Sequence, residues 1–193
     1  TEIGEAELMS KIDNYLDQAI TAAEEICRRG VWRIYNTGNV LNDYRVIFET
    51  PDLANNPEIL WFKMYDGDQV GNSVTRYLNT GGGNIGVTAS LVDDYLTIDG
   101  RPLVGDELLA AKRVYSTELL PTVRDPRLSQ TVALPGQRMQ PERGNPYIAG
   151  FPSLAGDGSA FGTNMTGYIM LKHVQIDYTG DYISEYKGST PAI

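Results

Sequence analysis

The sequence predicts a mainly α fold with a loop-rich remainder and a few short strands, and three observations carry that expectation. Residues 5–29 hold an unbroken helical period. Two further stretches, "TASLVDDYLTIDG" and "DELLAAKRVYSTELLPTV", repeat it on a smaller scale. Glycine and proline, 20 and 10 of 193 residues, gather in long segments between apolar runs too short for anything but brief strands.

The first helix places Met9, Ile12, Leu16, Ala19, Ala23, Ile26 and Cys27 at spacings of three and four, and Gly30 is its natural stop. Its wide, Ala-rich face suits close packing against other helices, yet no second helix of similar quality follows. The partner is therefore expected outside these residues, and the chain is expected to be an internal piece of a larger protein, with 1–30 as one element and 31–193 as a loop-rich region. Cys27, inside the same pattern, is expected as a buried thiol. The run "NPEILWFKMY", residues 56–65, reads as a short buried strand, with Trp61 in the core. A long loop with little periodicity spans 66–86. Ser90, with Asp93 three residues on, is the expected N-cap of the next helix, whose stripe is Leu91, Val92, Tyr95 and Leu96. A further helical segment ends at Pro121. "LSQTVALPG" reads as a strand, 136–166 as a second Gly/Pro-rich loop, and "TGYIMLKHV" as a last strand.

Composition narrows the function. A net charge of -9 with no cluster of Lys and Arg argues against a nucleic-acid partner. Twelve Tyr against four Phe and two Trp favour a polar, ring-shaped ligand, since tyrosine joins an apolar ring to a hydroxyl. One Cys and one His leave little for a metal site, and neither a metal nor a cofactor is expected. Gly81, Gly83 and Gly86 match G-x-G-x-x-G, but the residues before them are no buried strand and no second βαβ unit follows, so a flexible loop is the better reading. Asp66 and Asp68 lack the rest of an EF-hand loop. Asp93 and Asp94, adjacent on a helix, point apart and cannot cooperate as acid and base.

"VRDPR", residues 123–127, poses the sharpest choice between a charge cluster for catalysis, a phosphate clamp and a structural corner. Pro126 disfavours helix at Asp125, so the chain turns there. Asp125 can accept backbone N–H bonds within the turn, and Arg124 and Arg127 can donate to loop carbonyls. The corner is the expected role.

Taken in order, "YLDQAITAAEEICRRGVWRI", "NPEILWFKMY", "SLVDDYLTIDGRPL", "VRDPRLSQTV" and "TGYIMLKHV" resemble the signatures of the SusD/RagB family of outer-membrane nutrient-binding lipoproteins. Each is weak alone; the ordered set, across residues 14–172, is specific. The family's lipidated N-terminal Cys, earlier repeat helices and C-terminal helix have no counterpart in these residues. The resemblance implies a SusD-like scaffold of tetratricopeptide-type helices carrying a loop-rich ligand-side half. It implies a non-catalytic protein on the outward face of the outer membrane, lipid-anchored outside this chain. Its role would be to bind oligosaccharides or peptides and deliver them to a SusC-like TonB-dependent transporter.

Glycans offer C–H faces that stack on aromatic rings and hydroxyls that need directional partners. The 65–86 loop concentrates suitable groups, and Tyr65, Asp66, Asn72, Arg76, Tyr77 and Asn84 are the expected ligand-binding residues. A rival reading is a glycan hydrolase working with Asp66 and Asp68. That chemistry needs two carboxylates about 5 to 9.5 Å apart on a rigid scaffold, and these lie in a Gly-flanked loop. A third reading is a purely structural repeat module.

Overall fold

The structure, a computed structural model, describes residues 4–66, 68–79, 86–113, 120–138, 166–175 and 191–193, without the side chains of Arg76, Tyr77, Asn79 and Arg113. It is mainly helical, as expected, with few and short strands.

Helix α1, Glu5–Arg29, has Glu5 and Glu7 in its first turn and Arg28 and Arg29 in its last, each sign matched to the helix dipole. Gly30 ends it with φ 69°, its N–H donating to the Cys27 carbonyl at 3.1 Å. Surface pairs such as Lys11–Glu7, 2.8 Å, brace its polar side. No residue of α1 is buried, and Leu8, Met9, Ile12, Tyr15, Leu16 and Ile20 all face solvent. Cys27 is exposed with them, which corrects the buried thiol: a thiol on this helix can be buried only if something packs on it.

Helix α2, Asp43–Glu49, was not foreseen. Its anchor is Asp43, whose carboxylate accepts from the Thr37 N–H at 2.7 Å and the Thr37 hydroxyl at 2.6 Å. The run 56–65 is not a strand. Asn56 turns the chain by accepting from the Glu58 N–H, and the only ladder contact is a single bridge from Lys63 to Ala192. Leu60 and Trp61 are therefore 60% and 74% exposed, and the core role expected of Trp61 is overturned. The 66–86 segment is not all loop either: it holds helix α3, Val74–Asn79, and opens strand β1, Gly86–Val87.

Helix α4, Ala89–Asp94, is capped two residues earlier than expected, by Thr88, which accepts from the Leu91 N–H at 3.2 Å. Helix α5, Gly105–Arg113, is tied to α4 by Lys112 and Asp93 at 2.6 Å. After the corner at Asp125, "LSQT" forms a helical turn, α6, Leu128–Thr131, rather than a strand. Polar side chains decide this: Gln130 and Thr131 bond back to the carbonyls of Pro126 and Arg127, four residues earlier. Gln130, 2% exposed, also accepts from the Arg45 N–H and donates to the Val40 carbonyl, fastening α2 to α6.

The expected last strand is short: β2, Tyr168–Ile169, pairs antiparallel with β1, Val87 opposite Tyr168. On its other side Val132 bridges Met170, and the Ala133 N–H donates to the Ile169 carbonyl. This spine carries the core. Val87, Val92, Leu128, Val132 and Tyr168 pack in one cluster and Leu78, Ala133, Leu171 and Val174 in another. Together they hold α3, α4 and α6 in place.

Candidate functional site

Two polar regions compete for a functional role, and their hydrogen bonds separate them. At the corner, Arg124 is fully buried. Its Nη2 donates to the Val92 and Tyr95 carbonyls, both at 2.6 Å, so the guanidinium closes the C-terminal end of α4. The Asp125 N–H donates to the Leu96 carbonyl, and the Asp125 carboxylate accepts from the Arg127 N–H at 2.9 Å and from the Arg127 guanidinium. Arg127 holds the Asp125 carboxyl below its usual range, chiefly through that side-chain bond. These bonds end on the protein itself, as a structural corner requires.

The second region is a cleft of about 300 Å³, lined by Tyr65, Asn72, Val74 and His173 and closed by Pro191, Ala192 and Ile193. Backbone pairing between Lys63 and Ala192, at 2.8 and 3.2 Å, sets that last segment beside Tyr65. The chain then reverses tightly: Asp66 and Val70 exchange two backbone bonds, and Asp66 Oδ1 accepts from the Asp68 N–H at 2.9 Å. The reversal brings Asn72 back toward Tyr65. Asn72 Oδ1 in turn accepts from the N–H groups of Val74 and Thr75, the first two of α3, which holds its amide at the cleft wall.

Tyr65 is half-buried, and Lys63 Nζ lies 4.9 Å from its ring centroid. His173 has φ 67°, a left-handed conformation uncommon outside glycine. Its ring stacks edge-on against Phe48, centroids 5.2 Å apart. Burial, and then the neighbouring Lys172 charge, lower its pKa from the ordinary 6.5, so the imidazole is neutral at pH 7 and one of its nitrogens is an acceptor. The cleft therefore combines an aromatic ring, an amide, an imidazole acceptor and the apolar surfaces of Val74 and Ile193.

Of the six residues expected to bind ligand, the structure brings Tyr65 and Asn72 into one cleft. Asp66 stands on the adjoining turn, exposed, with one carboxylate oxygen used to shape it. The side chains of Arg76 and Tyr77, whose backbone lies in α3, and the whole of Asn84 fall outside the described residues, as does nearly all of the 136–166 loop. His173 and the 191–193 segment were missed. Nothing local marks them, because their place depends on pairing across more than a hundred residues. Gly86, last of the G-x-G-x-x-G match, opens a strand rather than a helix, contrary to the dinucleotide fingerprint. Among the described residues, no helix is long and apolar enough to cross a membrane, and no group of three or more His, Cys, Asp and Glu could hold a metal ion.

In comparisons with known proteins, the model of the SusD family matches residues 57–193, well over half of the chain. No curated protein and no solved structure matches.

Proposed function

The chain belongs to the SusD family, and from that premise we propose that it binds oligosaccharides at the cell surface through the Tyr65 cleft and delivers them to a SusC-like TonB-dependent transporter. The family is associated with glycan and nutrient binding at the cell surface, and its members are binding proteins that are typically outer-membrane lipoproteins. Within the family frame, residues 5–29 serve as one helix of the repeat scaffold, which gives its solvent-facing apolar stripe a covering partner.

The observation that carries the proposal is the make-up of the cleft. A half-buried tyrosine ring offers a face for sugar C–H groups, while Asn72 and the neutral His173 offer directional polar partners for hydroxyls. The hydrolase alternative fares worse, since Asp66 spends a carboxylate oxygen on its own turn and Asp68 is exposed beside it. Calorimetric titration with a panel of oligosaccharides and short peptides, followed by product analysis, tests the reading. Oligosaccharide binding without turnover is expected. Turnover supports the hydrolase, peptide-only binding moves the ligand class, and silence with every probe contradicts the proposal.

A further inference from the structure

A second cleft, about 260 Å³, lies on the outer side of the Asp125 corner. Its walls include Tyr44 from α2 and Tyr95 just beyond α4, its apolar surface Leu91 and Leu96, and its polar groups Asp94, Asp125 and Arg127. Both phenols are pinned. The Tyr44 oxygen accepts from Lys172 Nζ at 3.1 Å, and Tyr95 bonds to the Thr131 hydroxyl at 3.0 Å. Because Thr131 gives its one hydroxyl proton to the Arg127 carbonyl, Tyr95 is the donor in that pair. The rings are thus held before any ligand arrives, which lowers the ordering cost of binding.

From this arrangement we infer that the Tyr44–Tyr95 cleft is a second site, taking one neutral pyranose ring. The inference rests on the proposed glycan-binding role. The volume sits below the range of drug-sized pockets and suits a single ring rather than a long segment. Leu91 and Leu96, 44% and 38% exposed, leave apolar surface between the phenols for C–H contact. Asp94, exposed at the rim, can accept from two neighbouring hydroxyls. Arg127, tied to Asp125 through Nε and Nη2, keeps further N–H groups to donate to a ring or hydroxyl oxygen. The Asp125–Arg127 pair is neutral as a unit and Lys172, beside the Tyr44 oxygen, offsets Asp94, so the cleft carries little net charge and suits a neutral sugar. Tyr44, Phe48 and His173 form a row of rings with successive centroids 5.1 and 5.2 Å apart. The two clefts sit at opposite ends of that row.

The test is NMR on protein carrying 13C-labelled tyrosine rings, titrated with the methyl glycosides of glucose, galactose and mannose and with methyl glucuronide to roughly 50 mM, well above a millimolar Kd. The Tyr44 and Tyr95 signals should shift saturably with at least one neutral glycoside, in the parent protein and in Tyr65→Ala alike, and less with the glucuronide. Asp94→Ala, at an exposed position, should weaken that response about 3-fold to 10-fold. Movement of Tyr65 alone overturns the second site and leaves the proposed function standing. Movement of Tyr44 and Tyr95 alone supports the second site and removes the Tyr65 cleft from the proposal. No movement of any of these signals contradicts both, and an unchanged response in Asp94→Ala overturns the rim contact.

Discussion

The Arg124 corner and the Tyr65 cleft are both polar regions, and they differ in how far their side chains are buried. Arg124 is sealed from solvent and spends its Nη2 on two carbonyls of the protein. Tyr65, Asn72 and His173 are only half-buried and border an open cleft of about 300 Å³. The lesson is that charge and polarity in a sequence do not locate a site. Burial separates Arg124 from the cleft residues, because a buried polar group draws its partners from the protein whereas a partly exposed one also meets solvent.

The corner should respond most strongly to substitution. Arg124→Leu removes charge-assisted bonds and strands the Val92 and Tyr95 carbonyls at the end of α4. Stability should fall by roughly 3 kcal/mol or more, which for a chain of this size lowers Tm by about 6 to 12 °C. Oligosaccharide affinity of the fraction still folded should not change. Thermal unfolding and calorimetry at a temperature well below the transition check both halves; lost affinity in a folded variant would make the corner part of the site.

Asn72 belongs to both regimes, since it starts α3 and borders the cleft. Asn72→Ala should cost about 1 kcal/mol of stability through the lost capping bonds and also weaken binding. A stability loss with unaltered affinity would reassign Asn72 to the fold alone, a result that denaturant titration and calorimetry can deliver together.

The smallest effect is that of pH. His173 has a folded pKa below its ordinary 6.5, with burial the larger cause. The unfolded chain therefore takes up a proton first as pH falls through 6.5, and the stabilising contribution, fully present above that value, is lost as pH drops toward the folded pKa. Tm should decline between pH 7 and pH 5, and His173→Gln should flatten that decline. An equal slope in both proteins would show that His173 is not held neutral by its surroundings.

Local signals in the sequence revealed α1, with its Gly30 stop, and the corner at Asp125, because each is decided within a few residues. They also grouped Tyr65 and Asn72, which the structure brings into one cleft. Elsewhere local pattern misled. Leu60 and Trp61 are apolar and consecutive, as in a buried strand, but a strand needs a partner and only Lys63 finds one. "LSQTV" has β-forming residues, yet back-bonding by Gln130 and Thr131 turns it helical. Helix α2 went unseen because it is fastened by Thr37 and Gln130, one upstream and one more than eighty residues downstream. Nothing in the residues around His173 marks it; only its meeting with Phe48 and the 191–193 segment makes it a cleft residue.

Tyr65→Ala separates the two roles, ligand binding by the Tyr65 cleft and support of the fold by Arg124. Affinity for a bound oligosaccharide should be measured by calorimetry alongside thermal unfolding. Loss of a stacking ring should remove about 1 to 3 kcal/mol of binding, by analogy with aromatic platforms for bases, a fall of about 5-fold to 150-fold. Tm should move by no more than about 2 °C, since a half-exposed ring contributes little to the core. Unchanged affinity, or a variant that no longer folds, would contradict the claim and show that Tyr65 packs rather than binds.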